Sequence, residues 1–592
     1  MDRKLQLQQS PEWTDDLIIY EIPTKSFTSP NGPESGTFAS LKEKLEYLKD
    51  LGITGIWLTG HSLSHPDHFY NIWNQYAVIQ HDKLDPSLGG EEEFLALIEE
   101  AHHNGIKVFL DVITHGVMSD SPLIEAHPEW FKGGSWGMTD FDWFGDHEDL
   151  DDWWVKVWVD YVQKFGIDGF RLDVATYRFD LWARIRSQCS ALGHPIVIIP
   201  EKGPAVQGVT DFLQHGFRIS NNHYGLQEQS RVLSDLPSYL QLVNRLQPNM
   251  FQVKVLYEDD SEAGSGPEHD YVLTLAVEGK ETKPVPSDGR HEGYEREYFL
   301  LSIRGIDPSK QIKQLFVMDY DSNEWQLENT LFPDYRIHRS ERQGEVILLS
   351  LPMRLPTGQK ISFQLSCHDD GWEGYPEEKT PYVAQGKRSV FGYSFIFAPA
   401  IPVFMAGEEF DAQYRPLPQL SPHLFGGQDA GCGKWLYGSW IDWSQLEQEK
   451  HRAMLEDVKQ MIRLRKKYRS VIKPLQLGKD NGNSQPQSAQ HQSLDNLPVP
   501  YYYQTPTGYL LIASNPYHDK DSDISVTIPD FSDNRIYKVT DEWNGVYSFR
   551  LTGKQIKERQ WRIKRDQTPR GGLMVLFIEP LESESESRAA TE

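Results

Sequence analysis

An α/β fold is predicted for this chain: an eight-stranded (β/α)8 barrel carrying an inserted β domain and followed by a C-terminal antiparallel β-sandwich. Three observations carry this. From about residue 14 to residue 205, short apolar runs alternate with helix-period stretches, the pattern of βα units around a parallel sheet. Asp111, Asp173 and Glu201 fall toward the C-terminal ends of these runs, where a barrel of the TIM type carries its active site. The alternation gives way near residue 250 to turn-rich β segments and resumes near residue 360.

Taken in order, the first five strands read at 16–23, 52–60, 107–115, 169–175 and 195–201. Amphipathic helices at 37–51 and 91–104 lie between them, with apolar residues at helical spacing. A sixth strand is expected at 217–221 with a helix at 235–246. Strand-like segments at 271–278, 297–304 and 345–351 then form the inserted β domain, since insertion is tolerated at exposed loops. The barrel resumes at 361–369 and 402–409 and closes with a helix at 451–468. The expected division is therefore 1–249 for the first part of the barrel, with a short excursion at 117–147, and 250–355 for the insertion. The second part of the barrel is 356–470, the sandwich 471–582, and 583–592 a disordered tail. A run rich in Gln, Ser and Asn at 481–496 reads as a mobile surface loop.

Composition narrows the class of partner. With 592 residues, 39% of them hydrophobic, the chain can bury a large core, and 17 Trp, 27 Tyr and 27 Phe leave rings for a binding surface. A formal charge of −27 repels phosphate backbones and anionic lipid, so neither nucleic acid nor a membrane is expected as partner. A neutral substrate fits better. No apolar stretch reaches the roughly 20 residues of a membrane span, and the polar start of the chain shows no signal sequence. Three cysteines, Cys189, Cys367 and Cys432, without a C-x-x-C pair, argue against a disulfide scaffold or zinc site and favour a cytoplasmic setting.

The chemistry begins at G-F-R-L-D-V, 169–174. Residues two apart on a strand share a face, so Arg171 can sit beside Asp173 and lower its pKa, leaving a carboxylate able to act as nucleophile. Taken alone, the pair reads more readily as a structural ion pair than as a catalytic one. Glu201 and Asp369 end two further strands. Cleaving a glycosidic bond with retention needs one nucleophilic carboxylate and one carboxylic acid about 5–5.5 Å apart. Asp173 suits the first role; Glu201, after an apolar run, suits a raised pKa and the general acid/base role.

These motifs together resemble the α-amylase family, glycoside hydrolase family 13. L-D-V-I-T-H at 110–115 is similar to its D-x-V-x-N-H; G-F-R-L-D at 169–173 matches its G-F-R-x-D; I-P-E-K at 199–202 and C-H-D at 367–369 resemble its strand-end G-E and H-D. The resemblance covers about residues 14–245 and 360–470. It implies Asp173 as nucleophile, Glu201 as general acid/base and Asp369 as transition-state stabiliser, with Arg171 and His368 binding the sugar and Tyr70 stacking on it; Asp111 and His115 are further candidate substrate contacts. Tyr70 reads alternatively as a core aromatic, and His115 as facing the core. Where the family has Asn-His, this chain has His115-Gly116. Because imidazole is a poor ligand for a cation that prefers oxygen, no obligatory calcium is expected there, and no cofactor is required. Trp130, Trp136, Phe141 and Trp143 in the excursion read either as a cleft lining or as a miniature core.

The activity implied is a retaining glycoside hydrolase acting on α-glucosidic linkages of maltooligosaccharides or related glucans. Alternatives are a transglycosylase or isomerase of trehalose- or sucrose-type disaccharides, or a non-catalytic carbohydrate-binding relative. Oligomeric state is not legible.

Overall fold

The structure is a computed structural model. It describes residues 10–32, 34–65, 76–134, 137–143, 145–173, 178–201, 209–216, 253–265, 269, 272–284, 295–319, 324–327, 338–343, 346–352, 360–365, 368, 387–412, 414–416, 439–476, 481–545 and 547–581. Eight strands form one parallel sheet: β1 (Ile19–Ile22), β2 (Gly55–Leu58), β3 (Lys107–Ile113), β4 (Gly169–Asp173), β5 (Val197–Pro200), β6 (Phe212–Gly216), β7 (Lys360–Gln364) and β8 (Ile401–Met405). Their order is β6-β7-β8-β1-β2-β3-β4-β5. The two ends meet through Asp211, which donates its backbone N–H to Ile198 O at 2.9 Å and accepts the Ile198 N–H on Oδ2 at 2.7 Å. Arg186 pairs with both oxygens of that carboxylate, at 2.5 and 2.8 Å, so the buried charge is matched.

Side-chain alternation divides the barrel wall. Tyr20, Ile56, Leu110, Phe170 and Ile198 face outward into the core shared with the surrounding helices. Ile19, Phe109, Val197, Phe212 and Val403 face inward and fill the bottom of the barrel. Two residues further along the same inward rows come Glu21 and Asp111, and four residues beyond Val197, at the mouth, comes Glu201. The barrel interior is thus apolar below and acidic above, and the period of two along each strand places the carboxylates over a dry floor.

Helices cover the barrel. Residues 37–51 form two short helices, Phe38–Lys42 and Leu45–Leu51, where one was expected. Glu91–His103 and Glu449–Lys467 lie where periodicity placed them. In the last turn of the latter, Arg465 donates to the carbonyls of Ile396, Ala398 and Ala400 at 2.5, 2.9 and 2.6 Å, tying down the chain that enters β8. The sixth strand begins five residues earlier than expected; 217–221 and the helix expected at 235–246 lie outside the described residues.

Between β6 and β7 the described residues form two four-stranded antiparallel sheets. One runs Glu262–Gly264, Val253–Tyr257, Ile312–Asp319, Glu324–Leu327; the other Thr274–Pro284, Glu295–Arg304, Val346–Pro352, His338–Gln343. After the barrel, a six-stranded and a three-stranded antiparallel sheet pack over Leu511, Ala513, Ile524, Val526, Val539 and Ile578. The Gln/Ser-rich run, expected as a loop, supplies two short edge strands, Gln487–Ser488 and Gln490–Ser493, one to each sheet. An edge strand needs only backbone pairing, and polar side chains suit its solvent side. Tyr501 and Tyr503 turn toward the barrel and donate to the carbonyls of Tyr393 and Phe397, both at 2.7 Å, while Tyr502 packs into the sandwich core.

The excursion after β3 opens with a hairpin of Gly116–Met118 and Met138–Asp140. A Cβ on Gly116 would lie 2.1 Å from Thr139 O, so glycine is required for this close pairing. Trp130, Phe141 and Trp143 are buried and pack edge-on or tilted against Trp153 and Trp154 of helix Glu148–Phe165. They form the miniature core rather than a cleft lining; Trp136 lies outside the described residues.

Candidate active site

Arg171 is the hub of the acidic mouth. Being on β4, it points inward with Asp173, and Nη1 donates to Asp173 Oδ1 at 2.7 Å and to Asp111 Oδ1 and Oδ2 at 3.0 and 3.2 Å. Its Nη2 lies 3.6 Å from Glu201 Oε1 at the end of β5. The guanidinium also stacks over the Trp57 ring, 5.0 Å from its centroid. Side-chain exposure ranks the carboxyls: 2% for Asp111, 7% for Glu201 and 16% for Asp173. Asp173 is the one most open to a bound molecule.

Electrostatics follow from one cation shared among three acids. Burial pushes Asp111 up to about 6 against the pull of Arg171, and the charge of Asp173 pushes it the same way. Burial raises Asp173 as well; Arg171 opposes this and Glu201 adds to it, leaving a net upward direction. The expectation that Arg171 lowers the Asp173 pKa is corrected in its sum, because the guanidinium divides its charge. Arg171 itself is held firmly protonated by the three anions.

A second group of side chains fixes the opposite wall. Glu21 on β1, fully buried, accepts from Gln364 Nε2 at 2.7 Å and pairs with His368 Nδ1. The His368 ring lies 4.9 Å from Tyr76, tilted by 31°, and 5.9 Å from Trp57, edge-on. Tyr76 Oη donates to Asp111 Oδ2 at 2.5 Å, and Trp57 Nε1 donates to the same oxygen at 3.0 Å. Thr114 Oγ1 donates to the backbone carbonyl of Asp173 at 2.5 Å, joining the ends of β3 and β4.

The structure therefore brings together Arg171, Asp173, Glu201, Asp111 and His368. Tyr70 and Asp369 lie outside the described residues. Tyr76 is the described tyrosine that borders His368 and Asp111. Sequence reading missed Tyr76, Glu21, Trp57 and Gln364. Glu21 had a usable signal, a lone carboxylate inside the run I-I-Y-E-I, which must be paired if buried. His115 turns its Nδ1 to Asp140 Oδ1 of the hairpin, at 3.2 Å.

The donor set at 115–116 does not suit calcium: an imidazole and a glycine provide no side-chain oxygen where a hard cation wants six to eight oxygens in all. Among the described residues, His127, Glu129 and Asp149 could jointly reach one ion, but they lie on the surface, and Asp149 already accepts from Trp130 Nε1 at 2.8 Å.

Comparison with known proteins bears on the fold and the family. Residues 21–127 match the family described as alpha amylase, catalytic domain. The chain is 27% identical over 237 residues to the maltogenic alpha-amylase of Bacillus acidopullulyticus, covering 33% of this chain and 39% of that protein. It is 25% identical over 323 residues to an oligo-1,6-glucosidase of Saccharomyces cerevisiae, covering 46% and 49%. The matched stretch thus spans less than half the length of either relative. In fold it resembles the crystal structure of an Anoxybacillus alpha-amylase, with a TM-score of 0.57 across 97% of this chain and 100% of that one at 14% identity. Barrel order, inward acidic rows and these matches point the same way: the chain is similar to the α-amylase family, whose catalytic-domain model matches residues 21–127, and shares its fold.

Proposed function

We propose that this chain is a retaining glycoside hydrolase acting on α-glucosidic linkages of short α-glucans. The observation that carries the reading is the sharing of Arg171 by Asp173 and Glu201 at adjacent strand ends. Two carboxyl groups gathered on one cation favour the short separation, about 5–5.5 Å, of a direct-displacement pair. Asp173 attacks the anomeric carbon while Glu201 protonates the leaving oxygen, and the glycosidic C–O bond breaks. A water then gives its proton to Glu201 and attacks the same carbon, releasing Asp173 and restoring the acid. Arg171 stabilises the Asp173 anion before attack, Asp111 anchors Arg171, and Tyr76 with His368 offers a ring surface to the sugar. Asp369, beside His368 in sequence, is assigned to stabilising the cationic transition state. The residues at 115–116 supply no calcium site, and no step draws on a metal.

Similarity to a maltogenic alpha-amylase and to an oligo-1,6-glucosidase makes the linkage an open choice between chemistries that the same carboxylates serve. Product analysis on maltotriose, isomaltose, trehalose and sucrose, with the parent and with Asp173→Ala and Glu201→Gln, tests the reading. Glucose or maltose release by the parent and a loss of at least about a thousandfold in either variant are expected. Undiminished turnover in Asp173→Ala would overturn it, and rearranged disaccharides without release would indicate an isomerase.

A further inference from the structure

A carboxylate with no exposed surface sits in the inward row of β1. Glu21 is 0% exposed; its Oε2 accepts from Gln364 Nε2 at 2.7 Å and its Oε1 pairs with His368 Nδ1. Gln364 and His368 are themselves 1% and 2% exposed. Register explains the meeting. Ile19, Val403 and Gln364 stand level across β1, β8 and β7, so Gln364 reaches past Val403 to the next inward position of β1, which is Glu21. A carboxylate this deeply buried needs a counter-charge. Of its two partners, only the imidazole can carry one.

We infer that Glu21 is a positioning residue of the mouth: it holds His368 as an imidazolium, with Nδ1–H on the carboxylate, so that Nε2 also carries a proton and acts as a hydrogen-bond donor to substrate oxygen. The two ring nitrogens are linked, because the bond made by one sets the protonation of the other. Packing fixes the plane of the ring. Tyr76 lies 4.9 Å from it, with its Oη 3.4 Å from Nδ1, and Trp57 meets it edge-on at 5.9 Å. The titratable groups around the imidazole are therefore Glu21 from β1, Tyr76, and Asp111 of β3, which accepts the Tyr76 hydroxyl and is drawn down by the charge on His368. Arg171 reaches Asp111 as well. The mouth thus divides its acids between two cations: Arg171 serves Asp111, Asp173 and Glu201, and His368 serves Glu21. Gln364 keeps the second Glu21 oxygen occupied and so holds the carboxylate toward the ring.

The kinetic consequence rests on the hydrolase reading proposed above; the protonation of His368 does not. Two measurements on the full chain therefore test the inference, the first without substrate. In protein labelled with heavy nitrogen at histidine, with the His368 signals assigned by their loss in His368→Gln, both ring nitrogens should carry protons at about pH 7.5. Glu21→Gln keeps the shape and should lower the ring's titration midpoint by about one unit or more, toward the ordinary value of about 6.5. An unprotonated Nε2 in the parent at that pH, or one midpoint shared by both proteins, overturns the inference; the parent spectrum decides even where the variant fails to fold. The second measurement is kinetic. On a substrate that the parent turns over, the ratio of parent to Glu21→Gln kcat/KM should widen about tenfold between about pH 5.5 and 7.5, as the variant's imidazole loses its proton. A ratio independent of pH marks a merely structural residue and overturns it too. A parent that turns over no α-glucoside defeats the hydrolase reading, and the spectrum still decides the protonation of His368.

Discussion

Asp111 is the residue on which the charge balance of the mouth turns. It anchors Arg171 through two contacts to one nitrogen, and burial brings it to about 6. Below that pH it takes a proton and loosens its hold, so kcat/KM should fall on the acid side with an apparent midpoint near 6, a value belonging to the coupled cluster. Asp111→Asn keeps shape and acceptor while removing this titration; the acid limb should move down by about one unit or more, and an unmoved limb would assign it to another carboxyl. Glu409 poses a similar case away from the mouth. It is fully buried, receives Tyr20 and Tyr47 hydroxyls on one oxygen at 3.0 and 2.6 Å, and is raised by burial to about 7. A carboxyl whose folded pKa is raised contributes stability that is present below its unfolded value near 4.5 and is lost as pH rises through about 7. Glu409→Gln should therefore gain on the parent in thermal midpoint between pH 5 and pH 8. A constant difference across that range would show that Glu409 does not titrate.

At the scale of elements, two joints deserve separate tests. The β5–β6 seam depends on Asp211 and Arg186, both buried; Asp211→Ala leaves the guanidinium uncompensated and should cost about 3–5 kcal/mol in denaturant unfolding. Gly116 allows the two strands of the hairpin to pair closely, so Gly116→Ala should destabilise by about 1–3 kcal/mol through overpacking. An unaffected midpoint in either variant would mean that the contact is not tight. These joints also show what was legible. Strands β1 to β5, β7 and β8 could be read because each is a short, largely apolar run, and Arg171, Asp173 and Glu201 stood out as charged residues at strand ends whose roles came from the resemblance to a known family. Glu21, Trp57 and Tyr76 did not, because their roles come from neighbours 35 to 347 residues away in sequence. The strands at 487–493 escaped detection because edge pairing leaves no hydrophobic period.

For the molecule as a whole, the C-terminal sandwich is welded to the barrel by polar as well as apolar contact. Tyr501 and Tyr503 hydroxyls meet barrel-side carbonyls, and Asp457 of helix Glu449–Lys467 binds Arg388 Nε at 2.6 Å and Arg570 N at 3.0 Å. Tyr501→Phe with Tyr503→Phe leaves two buried carbonyls short of a donor and should lower the midpoint of unfolding without altering KM, since neither ring is among the described residues of the mouth. The central claim concerns bond making at one carboxylate in the acidic mouth of the barrel. Incubation of the parent with a 5-fluoro-α-glucosyl fluoride, followed by peptide mass spectrometry, tests it most directly. The account predicts one fluoroglucosyl group per chain, attached to Asp173; a label on any other residue of a chain that turns over α-glucosides would contradict it.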